Sequence, residues 1–441
     1  MKSLLVATFI AFLTVSSAAS QELPKNAPPA PPMPAVGTPV QGRDPAATHL
    51  METYSITERE ARERLIIQND VAILANKLNV ENDAAFYDIW IEHTPVFKIV
   101  VAFANGQDRR SFREGLAPSL KRYVQTRVVK RNRAEAVANI RIISERLRSA
   151  GLRFRVGRDP VKDGYSVKLP TDADVILAKQ AIPIAEQQDI IFEVGAIPQI
   201  QFAPTGVQSA DQLYGAGGMW APNDSLPVCT SGYVVTHGAS NNLFGILTAG
   251  HCRNGLFMRP HNRPDGWIWL NGPISLNGPV EMQGHVYDYQ VFELSPVASG
   301  PYIAFVNKLR IPEYPDSGWL KVTGSVPSGS QRVGMVMCGS GYFGGLHCGE
   351  IVNLDSSVTG EGNVVYDGYV LVKKTRQSNL SLAGDSGGPW FMYNAGGLNI
   401  SAVGITTAGN GLAGVDAEAL YMPIDLINHH NGTIRLLTAA P

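Results

Sequence analysis

Gly384-Asp385-Ser386-Gly387-Gly388-Pro389, near the C-terminal end of this 441-residue chain, is the stretch on which the reading of the rest turns. A serine among glycines can be held in a sharp turn with its hydroxyl presented and neighbouring backbone N–H groups aimed at one spot. Acyl transfer needs that arrangement: a nucleophile, and donors set in advance for the oxyanion. An ordinary Gly/Ser/Pro surface turn has the same composition, so the motif counts only if a base accompanies it. A second stretch, Leu247-Thr248-Ala249-Gly250-His251-Cys252, supplies a histidine 135 residues upstream. A serine hydroxyl is hardly acidic and needs such a base within hydrogen-bond reach.

Together the two motifs resemble the chymotrypsin-like serine endopeptidases, in particular the secreted bacterial branch made with a large N-terminal pro-region (streptogrisin and α-lytic protease types). The resemblance implies Ser386 as nucleophile and His251 as general base. His237, His261, His285, His347, His429 and His430 lie in contexts that do not match. The third member should be a buried carboxylate that fixes the histidine tautomer and stabilises the imidazolium. Asp288, in His285-Val286-Tyr287-Asp288-Tyr289-Gln290-Val291-Phe292, opens a strand-like run and lies between histidine and serine, the family order. Asp265 and Asp316 are the rivals, both in turn-like contexts beside Gly or Pro. The oxyanion hole would be the N–H groups of Gly384 and Ser386, and Pro389-Trp390 would lead into a core strand.

A second signature, Met337-Cys338-Gly339-Ser340-Gly341 through His347-Cys348-Gly349, resembles the small disulfide loop of the bacterial members. Three departures stand out. Leu382-Ala383 replaces a cysteine often found before the nucleophile motif. Gly339 stands where relatives commonly carry a basic residue paired with the Asp before the serine, which leaves Arg332 or a new N-terminus as candidates to pair Asp385. The pocket strand reads Thr406-Thr407-Ala408-Gly409 instead of Ser-Gly-Gly or Ser-Trp-Gly. Leu380 takes the place of the aspartate of trypsin-like members, so the expected cleavage follows apolar or aromatic residues. Thr407, Ala408 and Gly409 would line the edge along which a substrate strand pairs.

Length and composition agree with this reading. The chain is long enough for two or three domains, its hydrophobic content is 44% and its charged content only 17%. The net charge of −1 hides opposite halves: 26 Lys+Arg against 22 Asp+Glu in 1–200, and 11 against 16 in 201–441. Neither half has the basic concentration of a nucleic-acid binder, and no cluster of ligand spacing calls for a metal. Residues 1–20 read as a secretory signal, with Lys2, an apolar run from Leu4 to Val15, and Ser17-Ala18-Ala19. The run is too short to span a bilayer, so the chain is expected outside the cell, with no membrane partner. Export favours disulfides, and the spacing of the four cysteines gives Cys229–Cys252 and Cys338–Cys348 as the local solution. The resemblance pairs them the same way.

In chain order, 21–45 is a Pro-rich linker and 46–205 alternates helices with short strands, an α+β region. Thr57-Glu58-Arg59-Glu60 is a capping-box pattern, and Leu65, Ala72, Leu74 and Leu78 follow at roughly helical spacing. Phe86–Ile91 and Phe97–Phe103 read as strands. A helix over 131–150 is expected to bury Ala138, Ile142 and Leu147. Strands 153–156 and 165–169, a helix near 173–180 and a strand at 190–194 complete the region. His49 and His93 have no partner in the sequence and read as surface or packed residues. The resemblance implies that this region assists folding, inhibits the enzyme and is removed, with the processing point in 195–217. From 206 to 441 strand signals recur every 8–12 residues, an all-β pattern. The resemblance implies two six-stranded antiparallel barrels joined near 310–317, with the site between them.

The expected activity is therefore that of an exported zymogen of a serine endopeptidase, acting on protein or peptide substrates, bound by its own pro-region before maturation, and using no cofactor. A catalytically silent protein-binding module of the same fold and an esterase with the same constellation are the alternatives.

Overall fold

The computed structural model describes residues 44–199, apart from 82–83, 105–111 and 113, and residues 319–438, apart from 361–363, 374–378 and 395–398. Between these it describes 218–220, 229–237, 243–252, 257–258, 268–269, 271–273, 280–282, 285–293 and 302–304. The expected signal, most of the linker, the joint near 310–317, Asp265, Asp316 and the boundary at 205/206 lie outside the described residues. Strands predominate, and among the described residues no helix is long and apolar enough to cross a membrane.

The N-terminal half begins with helix α1 (Pro45–Tyr54), whose first turn is capped by the Asp44 carboxylate accepting from the Ala46 and Ala47 N–H groups. Helix α2 (Glu58–Val80) starts at Thr57, whose hydroxyl accepts the Glu60 N–H at 3.3 Å, and it buries Leu65, Ala72, Leu74 and Leu78 as their spacing predicts. Two units of the same topology follow. In the first, strands β1 (Phe86–Glu92) and β2 (Lys98–Ala104) form a hairpin, and β3 (Val124–Val129) returns parallel to β2. Helix α3 (Arg133–Ser149) opens the second unit. Its strands β4 (Arg155–Asp159) and β5 (Gly164–Leu169) form a hairpin, helix α4 (Asp172–Ala181) crosses over, and β6 (Ile190–Val194) lies parallel to β5.

The buried face of α3 differs from the expectation. Ala136, Ile140, Ile143 and Leu147 are inside, while Ala138 and Ile142 face solvent. Both stripes have helical spacing; contact with Phe154, Val156 and Val167 in one apolar cluster selects the first.

In the C-terminal half β7 (Val234–His237) and β8 (Leu243–Thr248) pair antiparallel, and β8 also pairs with β9 (Gln290–Glu293). A larger sheet holds β10 (Val336–Gly341), β11 (Gly345–Thr359), β12 (Val365–Lys373), β13 (Pro389–Tyr393), β14 (Asn399–Gly409) and β15 (Glu418–Pro423). Strand β11, fifteen residues long, bends through register shifts and carries β12 on one edge. Along the same strand it accepts β4: Leu354 pairs with Arg158 and Ser357 with Val156. The sheet of the C-terminal half thus continues into the second α+β unit.

The halves also share apolar cores. One joins Trp90, Ile91 and Val101 to Met335, Met337, Trp390 and Tyr421. Another joins Ala46 and Leu50 of α1, and Ile197, to Val336, Leu371 and Phe391. Truncating a fully buried leucine such as Leu50 in a core of this kind costs about 2–5 kcal/mol.

Candidate active site

The His251 turn follows β8 directly. Buried Gln290, on β9 beside it, donates from Nε2 to the Ala249 and Cys252 carbonyls at 3.0 and 2.8 Å, and the Cys229–Cys252 disulfide closes the turn from the other side. Asp288 is wholly buried. Its carboxylate accepts the His251 backbone N–H at 2.8 Å and meets His251 Nδ1 at 2.8 and 3.1 Å. A carboxylate accepts only, so Nδ1 carries the proton of that bond. Buried Tyr369 lies beside Asp288, and burial drives its phenol well above the ordinary value, so it stays protonated there.

Ser386 sits in a turn with Gly384 at φ +93° and Gly387 at φ +85°. The left-handed region disfavours any side chain at these places. At Gly387 a Cβ would stand 2.0 Å from Thr248 Oγ1 and 2.4 Å from the Thr230 carbonyl, so glycine there lets the nucleophile turn dock on the end of β8. The Ser386 carbonyl accepts the Thr230 N–H at 2.8 Å and lies 4.0 Å from Cys252 Sγ. The structure therefore brings the serine and histidine motifs into one packed unit. Gly387 N–H donates to Thr406 O, while among the described residues the N–H groups of Gly384 and Ser386 have no acceptor. Those are the two groups expected to bind an oxyanion.

Asp385 is also wholly buried, and its holder corrects the expectation. Its carboxylate accepts N–H groups from Phe343 at 2.7 Å, Gly344 at 3.0 and 3.1 Å, and Leu382 at 2.8 Å. Arg332, the proposed cation, is instead directed at Asp88 of the N-terminal half, with Nε 3.2 Å from Oδ1. Nor is there room for a basic residue at 339: a Cβ on Gly339 would meet His347 Nε2 at 2.4 Å and Trp390 Cε2 at 3.0 Å. His347 fills the space such a side chain would cross. The Cys338–Cys348 bridge joins β10 and β11 as directly opposed residues and closes the loop whose N–H groups hold Asp385.

The pocket residues lie near this unit. Leu380 is 1% exposed and packs with Val372, Met337 and Trp390, and Thr407 and Ala408 are buried in β14. Gly409, at the end of β14, is already paired. Gln199 donates to the Gly409 carbonyl at 2.9 Å and accepts its N–H at 3.2 Å, an antiparallel bridge from the end of the N-terminal half.

His49 and His93 are not isolated. His49 Nε2 lies 3.3 Å from Glu350 Oε1, and the same carboxylate accepts Tyr54 OH at 2.7 Å. His93 stacks on Tyr54, donates from Nε2 to the Gly334 carbonyl at 2.8 Å, and accepts from Arg64 at Nδ1. Burial lowers the His93 pKa. Burial works to raise that of Glu350, but the hydrogen bond from His49 and the electrostatic attraction of the two histidine rings bring it below the usual value. Glu350 is separated from His49 by 301 residues, so no local pattern announces the pair.

No protein-family model matches the chain, and no curated protein does. Solved structures similar to it include Thermobifida fusca protease A (22% identity, 52% of this chain and 99% of that one, TM-score 0.35). Cellulomonas bogoriensis chymotrypsin is 25% identical over 52% of this chain and 99% of its own, with a TM-score of 0.35. Nocardiopsis protease is 20% identical over 51% and 99%, with a TM-score of 0.36. At such scores these likenesses describe resemblance only, and the geometry of the site stands without them.

Proposed function

We propose that the chain is a secreted serine endopeptidase made as a zymogen. Ser386 Oγ attacks the substrate carbonyl carbon while His251 Nε2 takes its proton and then delivers it to the leaving amine; water repeats the cycle on the acyl-enzyme. Asp288 holds the tautomer and stabilises the imidazolium. The Gly384 and Ser386 N–H groups receive the oxyanion, a contact of the kind that contributes about 3–4 kcal/mol to the transition state. The scheme needs no metal or organic cofactor.

The observation that carries the reading is the buried Asp288 carboxylate bonded to both the backbone and Nδ1 of His251, on a turn packed against the Ser386 loop. In this scheme residues 206–441 form the two-barrel protease, and 46–205 the pro-region. The Gln199–Gly409 bridge supports inhibition by that region, since it occupies the strand edge where an extended substrate would pair. In this scheme the processing point, expected in 195–217, follows Gln199. Leu380 and Ala408 favour apolar residues before the scissile bond.

The test is labelling of the processed protein with a fluorophosphonate, read by peptide mass spectrometry. One adduct on the peptide holding Ser386, absent in His251→Ala, is expected. A folded, processed sample that takes no label would replace the enzyme by a silent binding protein. Labelling with turnover of esters but of no protein would replace it by an esterase.

A further inference from the structure

We infer that Thr230 is a positioning residue of this site, the point at which the histidine turn, the nucleophile turn and the loop around Asp385 are locked in register. The inference rests on the reading of Ser386 and His251 just given and adds to it a residue that touches neither substrate nor reacting atoms.

Thr230 is wholly buried and uses every polar group it has. Its N–H donates to the Ser386 carbonyl at 2.8 Å. Its hydroxyl donates to the Gly384 carbonyl at 2.8 Å and accepts the Tyr342 N–H at 3.0 Å. Its own carbonyl accepts Thr248 Oγ1–H at 2.8 Å, on the strand that leads into His251. The preceding residue, Cys229, is bonded to Cys252, the residue after His251. One threonine thus joins three segments far apart in sequence.

The bonds fall where they govern geometry. The Ser386 N–H lies on the amide between Asp385 and Ser386. Thr230 grips the carbonyl of the amide on each side, Gly384 through its hydroxyl and Ser386 through its N–H. With both flanking planes held, and the Asp385 carbonyl of the middle amide itself accepting the Gly388 N–H at 2.9 Å, that amide keeps its N–H toward the oxyanion position. Gly384, at φ +93°, otherwise has the freedom of a glycine to let its plane rotate. The hydroxyl's second bond, to Tyr342, ties this grip to the loop whose next two N–H groups hold Asp385. A buried threonine satisfied merely for stability has no reason to address both carbonyls around the nucleophile.

Thr230→Val removes the hydroxyl at nearly constant shape, and Thr230→Ser restores it. In the full chain carried through its own processing, Thr230→Val is expected to lower kcat and the rate of fluorophosphonate labelling at Ser386 by roughly ten- to a hundredfold. KM should stay within about twofold, and Thr230→Ser should recover the rate. Amide exchange in the peptide 382–388 should quicken in Thr230→Val alone. A Thr230→Val protein that melts lower but keeps wild-type kcat and labelling rate would reduce Thr230 to a structural residue. Unchanged exchange in 382–388 would overturn the inference by itself. Exchange needs no activity, so a wild-type protein that takes no label sinks the endopeptidase reading while exchange still decides the role of Thr230. Should the valine variant not fold, Thr230→Ala is read in the same way.

Discussion

Two regions of this molecule handle buried charge in opposite ways. At the candidate site the carboxylates are satisfied from within the C-terminal half. Asp288 takes the His251 backbone and ring, and Asp385 takes three backbone N–H donors. Along the seam with the N-terminal half the partners come from the other side. Glu350 of β11 is held by His49 and Tyr54, Glu418 of β15 lies 3.0 Å from Lys168 as well as Lys373, and Arg332 faces Asp88. Arg158 of β4 bonds both Asp88 and Asp355. Burial pulls Arg332 down to about 9 despite Asp88, a sign of a guanidinium sheltered chiefly by packing.

The difference teaches what each region is built for. Carboxylates closed within one half need no partner from across the seam. A seam whose charges need partners from the other half is stable while docked, and on separation exposes charges that water can solvate. That suits the removal proposed above for the N-terminal region.

The largest effect that could break this comparison is chemical. Ser386→Ala should abolish labelling and lower hydrolysis by on the order of 10⁶, with amide exchange along α1 and β1 unchanged. A loosened seam in that variant would show that the two regions are coupled. Next, Asp385→Ala leaves the Phe343, Gly344 and Leu382 N–H groups buried without that acceptor. It should lower unfolding stability by about 3 kcal/mol or more, read from the urea midpoint at constant slope. Glu350→Gln should act at the seam alone, loosening α1 by about 1.5 kcal/mol, or roughly tenfold faster exchange of its amides.

The smallest expected effect is a pH dependence at the seam. His93 is kept neutral by burial, with Arg64 donating to Nδ1, and Glu350, His49 and Tyr54 packed around it. Its docked pKa is lowered, so the docked state binds fewer protons than the open one. The stabilisation is full above about pH 6.5 and is lost as pH falls below it. Glu350, also lowered, adds to the loss at more acid pH, below its ordinary value. Exchange in β1, corrected for intrinsic rates, should be flat above about pH 6.5 and quicken by roughly fivefold toward pH 5.5. His93→Gln should remove the step; its persistence would assign it elsewhere.

How much was legible follows from the range of the forces involved. Helix α2 could be read from Thr57 and its apolar spacing, and strand β6 over 190–194 from its residues, because propensity and periodicity act within one element. The stripe of α3 was misread because Ile140 and Ile142 are equally apolar, and only the sheet beneath decides between them. Strands β10 and β11 escaped as regular strands because glycines and polar residues interrupt them. Thr230 and Gln290 carry no local signal at all. Their bonds run to segments 18 residues away and as far as Ser386.

By itself the sequence determined the chemistry available here: a serine among glycines, a histidine before a cysteine, an aspartate opening a strand, and cysteines close enough to bridge. These are properties of neighbouring residues, and neighbours are what a sequence records. Only the tertiary structure decided that Asp385 is held by backbone N–H groups instead of Arg332. It also directed His49 to Glu350 and placed Gln199 beside Gly409. Such pairings depend on which polar groups folding brings within hydrogen-bond distance of one another, and that is a consequence of packing the whole chain.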